Sequence, residues 1–164
     1  MNPFVNALDE VHDVNSFDCG TDTLNIWLRQ VAKQHQKNYI SQTFVLESED
    51  DSSKVLGFYA LALRGMTPTE DLPEKMAKKL PKGLPGITLA RLAVHEDEQG
   101  KKFGELLLVD AMKRAFSASQ SIGGWALFVD AKDAKASEFY KKYGFVALPS
   151  NPLVLFMPFK NMPT

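Results

Sequence analysis

The sequence predicts a single α/β (α+β) domain over residues 1–164, built on one central mixed, twisted sheet flanked by helices. Three observations point there. A length of 164 residues with 45% hydrophobic and 24% charged side chains suits one domain with one substantial core. The apolar period switches repeatedly between strand-like and helix-like along the chain. Finally, two continuous apolar runs, at 87–94 and 125–130, are separated by a segment of helical length. That is the pattern of a crossover between parallel strands.

The elements follow in order. Residues 18–22, DCGTD, read as a turn and helix start, and Leu24, Trp27, Leu28 and Val31 continue at helical spacing. Arg29, Lys33 and Lys37 fall on the more polar positions of this helix. Residues 39–47 read as a strand with Phe44 and Leu46 on one face, ESEDDSSK as a hairpin loop, and 55–63 as the antiparallel partner. A short basic helix is expected over 74–80, bracketed by Pro73 and Pro81. The run ITLARLAV, 87–94, is a buried strand. Residues 104–117 form a helix with a broad apolar face of Leu106, Leu107, Val109, Ala111, Met112 and Phe116. A strand at 125–130, a helix at 134–143 with Gly144 as its C-cap, and strands at 146–148 and 153–158 complete the chain.

Nineteen basic against twenty acidic residues leave a formal charge of −1, which does not mark a general polyanion binder. The charge is unevenly distributed: residues 75–142 carry a net +5, so a local anion footprint remains open beside the reading of an ordinary solvated surface. The single cysteine, Cys19, excludes an internal disulfide and a multi-cysteine metal site, and fits a small buried filler beside the first helix. His12, His35 and His95 lack metal-ligand spacing, and no metal is expected. The acidic N-terminus has no signal-like segment and no apolar run is long enough to span a bilayer; a cytoplasmic protein without membrane contact is expected.

Residues 98–105, EQGKKFGE, join the 87–94 strand to the following helix. Backbone N–H groups at a helix N-terminus attract phosphate, and Gly100 and Gly104 permit close approach or left-handed dihedrals. The same residues also fit a plain solvated loop. Arg91, a charge inside an apolar strand, must leave the core or find a partner; substrate contact and an internal ion pair are its two outlets.

The segment ITLARLAVHEDEQGKKFGELLLVDAMKRA resembles the acetyl-CoA-binding core of the GCN5-related N-acetyltransferase (GNAT) superfamily, whose pyrophosphate loop reads Gln/Arg-x-x-Gly-x-Gly/Ala. Gln99 fills the first position, Lys102 stands where the first glycine is expected, and Gly104 fills the last. The segment ASEFYKKYGF, 136–145, resembles the family element whose tyrosine protonates the departing CoA thiolate, a role that falls on Tyr140. On this reading Phe139 is buried and Tyr140 faces the ligand. The resemblance implies a GNAT-type domain with its sheet splayed at the acetyl-CoA site. It assigns the cofactor to Leu92, Ala93, Val94, Gln99, Gly100, Lys101, Lys102, Phe103, Gly104 and Glu105.

FDCGTDTLNIWL, 17–28, together with FYALA and LARLAV, resembles more narrowly the acetyltransferase toxins of bacterial toxin–antitoxin pairs. That resemblance implies acetylation of the α-amine of aminoacyl-tRNA, arrest of translation and a ribbon-helix-helix antitoxin as partner; a homodimer is also expected. Arg29, Lys33, Lys37, Lys79 and Arg91 are the expected substrate contacts. An acetyltransferase for a small amine or peptide, and a non-enzymatic CoA-sensing or protein-binding relative with a spoiled cofactor loop, are the alternatives.

Overall fold

The computed structural model describes residues 1–163. Seven strands form one mixed sheet: β1 (Val5–Ala7), β2 (Gln42–Glu47), β3 (Val55–Pro68), β4 (Gly83–Val94), β5 (Ala126–Asp130), β6 (Val146–Leu148) and β7 (Asn151–Pro158), in the spatial order β1-β2-β3-β4-β5-β7-β6. The helices are α1 (Asp22–Gln30), α2 (Ala32–Lys37), α3 (Glu74–Ala77), α4 (Phe103–Ile122) and α5 (Ala134–Lys141). This mixed sheet flanked by helices is the α/β architecture expected from the sequence.

By internal contacts the chain divides into two compact units, residues 1–62 with 90–114, and residues 63–89 with 115–163. The core of the first gathers Phe17, Trp27, Leu28, Val45, Phe58 and Ala93. Phe58 lies stacked on Trp27 and edge-on to Phe17. The core of the second gathers Leu72, Leu84, Ala126, Phe128, Leu148 and Phe156.

In the first unit β1, β2 and β3 form an antiparallel meander, with Phe44 opposite Tyr59 and a bulge where Glu47 pairs with Val55. Gly57 on β3 is a close-approach glycine. A Cβ there would stand 2.9 Å from the carbonyl oxygen of Ala93 and 2.8 Å from Leu107 Cδ1. In the second unit β4 and β5 are the parallel pair of the crossover, in register from Gly86↔Ala126 to Leu89↔Val129. β7 is antiparallel to both β5 and β6.

Several boundaries differ from the sequence reading. The first helix is two: Val31, at φ −118, departs from helical geometry and separates α1 from α2, a departure that a β-branched residue tolerates well. The basic helix after Pro73 closes a single turn, because Lys78 is extended at ψ 134 and Lys79 is left-handed at φ 66. Three residues of β1 form a strand through pairing with β2, and only Val5 among them is buried, too little alternation to read. β4 begins at Gly83 and β3 runs on to Pro68, both longer than their apolar runs. Finally, the helix α5 does not deliver a parallel neighbour to β5. A tight β6–β7 hairpin closing at Leu148↔Asn151 places β7 there instead.

Candidate active site

The loop after β4 is built entirely within the first unit. A 3₁₀ turn, Glu96–Glu98, follows β4, and α4 starts at Phe103. The N–H of Leu106 bonds to the carbonyl of Lys102 at 3.1 Å, so Lys102 occupies the start of the helix. Residues 103–105 are therefore its first turn, whose N–H groups have no partner within the helix. Gly100 is left-handed at φ 86, and Lys102 is left-handed at φ 66. An L-residue pays for that conformation, which glycine adopts freely. Lys102 thus keeps the backbone shape that a glycine would give, and its side chain is exposed. Lys101 is held by Glu98, Nζ to Oε2 at 2.6 Å, and this hydrogen bond holds the Glu98 carboxyl below the usual carboxylate range.

The side-chain amide of Gln99 is engaged within the protein. Its Nε2 donates to the carbonyl of Val94 and to the carbonyl of Cys19, both at 3.1 Å. The first bond folds the loop back on the end of β4, and the second ties it to the turn before α1. Along β4, Leu92 and Val94 are half-buried while Ala93 is buried, the alternation of a strand with one face in the core.

Arg91 does not form the expected internal ion pair. Its guanidinium lies 5.1 Å from the Trp27 ring centroid and Nη1 donates to the carbonyl of Ala90, so a cation–π contact takes the place of an ion pair. Arg29 donates to the carbonyl of Phe17 at 3.4 Å. Lys33 pairs with Glu10 at 3.5 Å. Lys33 and Lys37 both line an open groove of about 680 Å³ with Leu8, Glu10 and Gln36. Lys37 and Lys79 are exposed. Cys19 is buried in the core of the first unit, as expected of a filler.

The histidines are engaged in structure. His12 Nε2 meets Glu47 at 2.7 Å, His35 lies edge-on to Trp27, and His95 Nδ1 accepts from the N–H of Asp97. That last bond leaves His95 Nε2, in its neutral form, to donate to the carbonyl of Ser16 at 3.3 Å. No cluster of three or more metal-ligating side chains exists among the described residues.

In the second unit, α5 is capped by Asp133, whose carboxylate accepts from the N–H of Ala136. Tyr140 lies near its end, and its ring packs edge-on against Phe139 and Phe145. The expected burial order is reversed. Tyr140 is 8% exposed and Phe139 is only half-buried. The left-handed Gly144, at φ 93, turns the chain so that Phe145 returns beneath the helix and closes over Tyr140. This burial pushes the Tyr140 phenol up to about 12. A phenol in that state carries its proton throughout the neutral range, as a general acid requires.

Sequence reading missed two arrangements. Asn25, apparently one more polar residue of an amphipathic helix, is 2% exposed and bonded at both ends of its amide. Arg64 lies 4.7 Å from the Phe128 ring centroid and reaches Thr88 Oγ1 at 3.2 Å and Asp130 at 3.5 Å. Asp130 is the first β5 residue beyond the ladder with β4. A buried asparagine inside a helical pattern is the only sequence signal for the first. The second joins residues 66 apart and left none.

Comparison with known proteins places these features in context. The model of the acetyltransferase (GNAT) domain family matches residues 40–147. The tRNA-acetylating toxin of Mycobacterium tuberculosis (strain ATCC 25618 / H37Rv) is 36% identical over 154 residues, covering 94% of this chain and 90% of that protein. Among solved structures, AtaT complexed with acetyl-methionyl-tRNAfMet superposes with a TM-score of 0.88 at 35% identity, covering 95% of this chain and 94% of the other. A tyrosine-to-phenylalanine mutant of AtaT, bound to the C-terminus of the antitoxin AtaR and acetyl-CoA, superposes with a TM-score of 0.79 at 31% identity, covering 95% and 92%.

Proposed function

The chain belongs to the GNAT acetyltransferase family, and from that premise we propose that it transfers acetyl from acetyl-CoA to the α-amine of aminoacyl-tRNA, acting as a toxin that arrests translation. The observation that carries the enzymatic reading is the left-handed, exposed Lys102. A spoiled loop, with the lysine side chain filling the phosphate position, was the basis of the non-enzymatic alternative. The glycine-like backbone and the outward side chain argue against it. The α-amine of charged tRNA is favoured over a small amine by the near full-length similarity to a tRNA-acetylating toxin.

The residues fit the cofactor. The N–H groups of residues 103–105 at the start of α4 offer donors to a pyrophosphate, Gly100 and Lys102 shape the turn, and Lys101 and Lys102 add positive charge. Leu92, Ala93 and Val94 are assigned to the amide-bearing arm. Bound there, acetyl-CoA supplies an activated thioester. The neutral α-amine attacks its carbonyl carbon directly; an α-amine has a pKa near 8, so a useful fraction is already unprotonated. Tyr140 gives its phenolic proton to the departing thiolate; the attacking nitrogen sheds one proton to solvent, and solvent returns one to the phenol. Arg29, Lys33, Lys37, Lys79 and Arg91 are the basic residues assigned to tRNA phosphates, contacts that give affinity without base identity. A ribbon-helix-helix antitoxin and a second copy of the chain are the proposed protein partners, and the cytoplasm the proposed location. No helix among the described residues is long and apolar enough to cross a membrane.

The test is a competition. With acetyl-CoA, bulk charged tRNA and polyamines together, mass spectrometry should find acetyl on aminoacyl ends; acetylated polyamines alone would replace this reading with the small-amine one.

A further inference from the structure

We infer that the turn before α1 is a positioning device for the cofactor loop, with Asn25 as its keystone. The chain of bonds is continuous and lies wholly in the first unit. Asn25 Oδ1 accepts from the N–H of Cys19 at 2.9 Å, and its Nδ2 donates to Asp18 Oδ1 at 2.9 Å. The same carboxylate oxygen accepts from the N–H of Gly20, which is left-handed at φ 87. These three bonds fix the direction of two carbonyls. The carbonyl of Asp18 accepts from the N–H of Glu96 at 2.8 Å, and that of Cys19 accepts from Gln99 Nε2 at 3.1 Å. Two residues before Asp18, the carbonyl of Ser16 faces His95 Nε2 at 3.3 Å. Three positions of the turn region, 16, 18 and 19, therefore hold three positions of the loop, 95, 96 and 99.

The physical logic favours positioning over mere filling. Asn25 is 2% exposed, where an amide with an unpaired end costs about 1–3 kcal/mol, so both of its bonds must be made and the turn has one geometry. Gln99 passes that geometry to the loop and to the end of β4 through Val94. The residues that would meet the phosphates follow directly, with Gly100 left-handed immediately after Gln99. Gln99 and Asn25 touch no phosphate in this account; they act through the backbone of residues 100–105. The DCG turn and the asparagine seven residues after its aspartate thus serve the cofactor, although they lie some 80 residues earlier in the chain.

The inference rests on the proposed reading of the 98–105 loop as a pyrophosphate site. The experiment compares acetyl-CoA with S-acetylpantetheine, a donor that keeps the thioester and lacks the pyrophosphate, in the full-length protein. Asn25→Asp replaces the donor facing Asp18 with a second carboxylate. It should raise the Kd for acetyl-CoA about tenfold, while kcat/KM with S-acetylpantetheine stays within about twofold. The exchanged double variant, Asp18→Asn with Asn25→Asp, restores a donor–acceptor pair and should recover most of the lost affinity. Gln99→Leu cuts the far end of the brace from an exposed position and should give the same donor-selective loss even if Asn25→Asp fails to fold. An unchanged acetyl-CoA affinity in folded Asn25→Asp or in Gln99→Leu overturns the inference. So does an equal loss on both donors, which is the signature of a purely structural role. If the unmodified protein itself does not bind acetyl-CoA, the loop reading fails, an outcome distinct from either.

Discussion

At single residues the proposed chemistry rests on Tyr140 and Lys102. Tyr140 is buried deeply enough that its phenol rises to about 12, which is high for an acid but matches a proton donor that must never be lost near neutrality. A phenol raised in the folded state stays protonated below its ordinary value near 10, and only above that does ionisation begin to oppose folding. Accordingly kcat/KM should rise with pH as the acceptor amine deprotonates near about 8, and show no tyrosine limb before about pH 10. Tyr140→Phe should lower kcat about 100-fold or more with acetyl-CoA affinity retained; an unchanged kcat removes the acid role. Lys102 poses the opposite question, since in this account its side chain adds only charge while its left-handed backbone shapes the turn. Lys102→Gly should leave acetyl-CoA affinity within about threefold, whereas Lys102→Val, whose branched Cβ resists φ 66, should weaken it and lower Tm; calorimetry reads both.

At the scale of elements, the site depends on close backbone approach. Gly57 lets the β3 backbone pass so close to β4 that a Cβ there would stand 2.9 Å from the Ala93 carbonyl oxygen, within the β4 segment assigned to the cofactor arm. Gly57→Ala should destabilise by about 1–3 kcal/mol and lower activity in parallel, measured by denaturant unfolding and by initial rates. Legibility in the sequence also divides by element. Strand β4, helix α4 and the antiparallel β2–β3 pair were readable because each carries a long apolar period. The break at Val31 was not, because the apolar spacing of Leu24, Trp27, Leu28 and Val31 runs up to it without interruption. Strand β1 was not, because its identity comes from pairing and not from its own side chains. The strand-to-helix junction at 98–105 was legible through context and motif. The job of Gln99 was not, because its partner Cys19 is distant in sequence, and neither was the burial of Tyr140, which depends on Phe145 folding back past Gly144.

At the scale of the whole molecule, the near-neutral charge is compatible with an RNA substrate if phosphate contacts are few and local. Affinity for charged tRNA should then fall with salt on a shallow slope, since each neutralised phosphate contributes about 0.7–0.9 to that slope. The central claim is acetyl transfer to the amine of a charged tRNA, and radiolabelled acetyl-CoA tests it most directly. Label should enter charged tRNA and leave under mild alkali as an N-acetyl-amino acid, with none entering tRNA that is deacylated or already blocked at the amine. Label in uncharged tRNA, or none in any charged tRNA, would contradict the account.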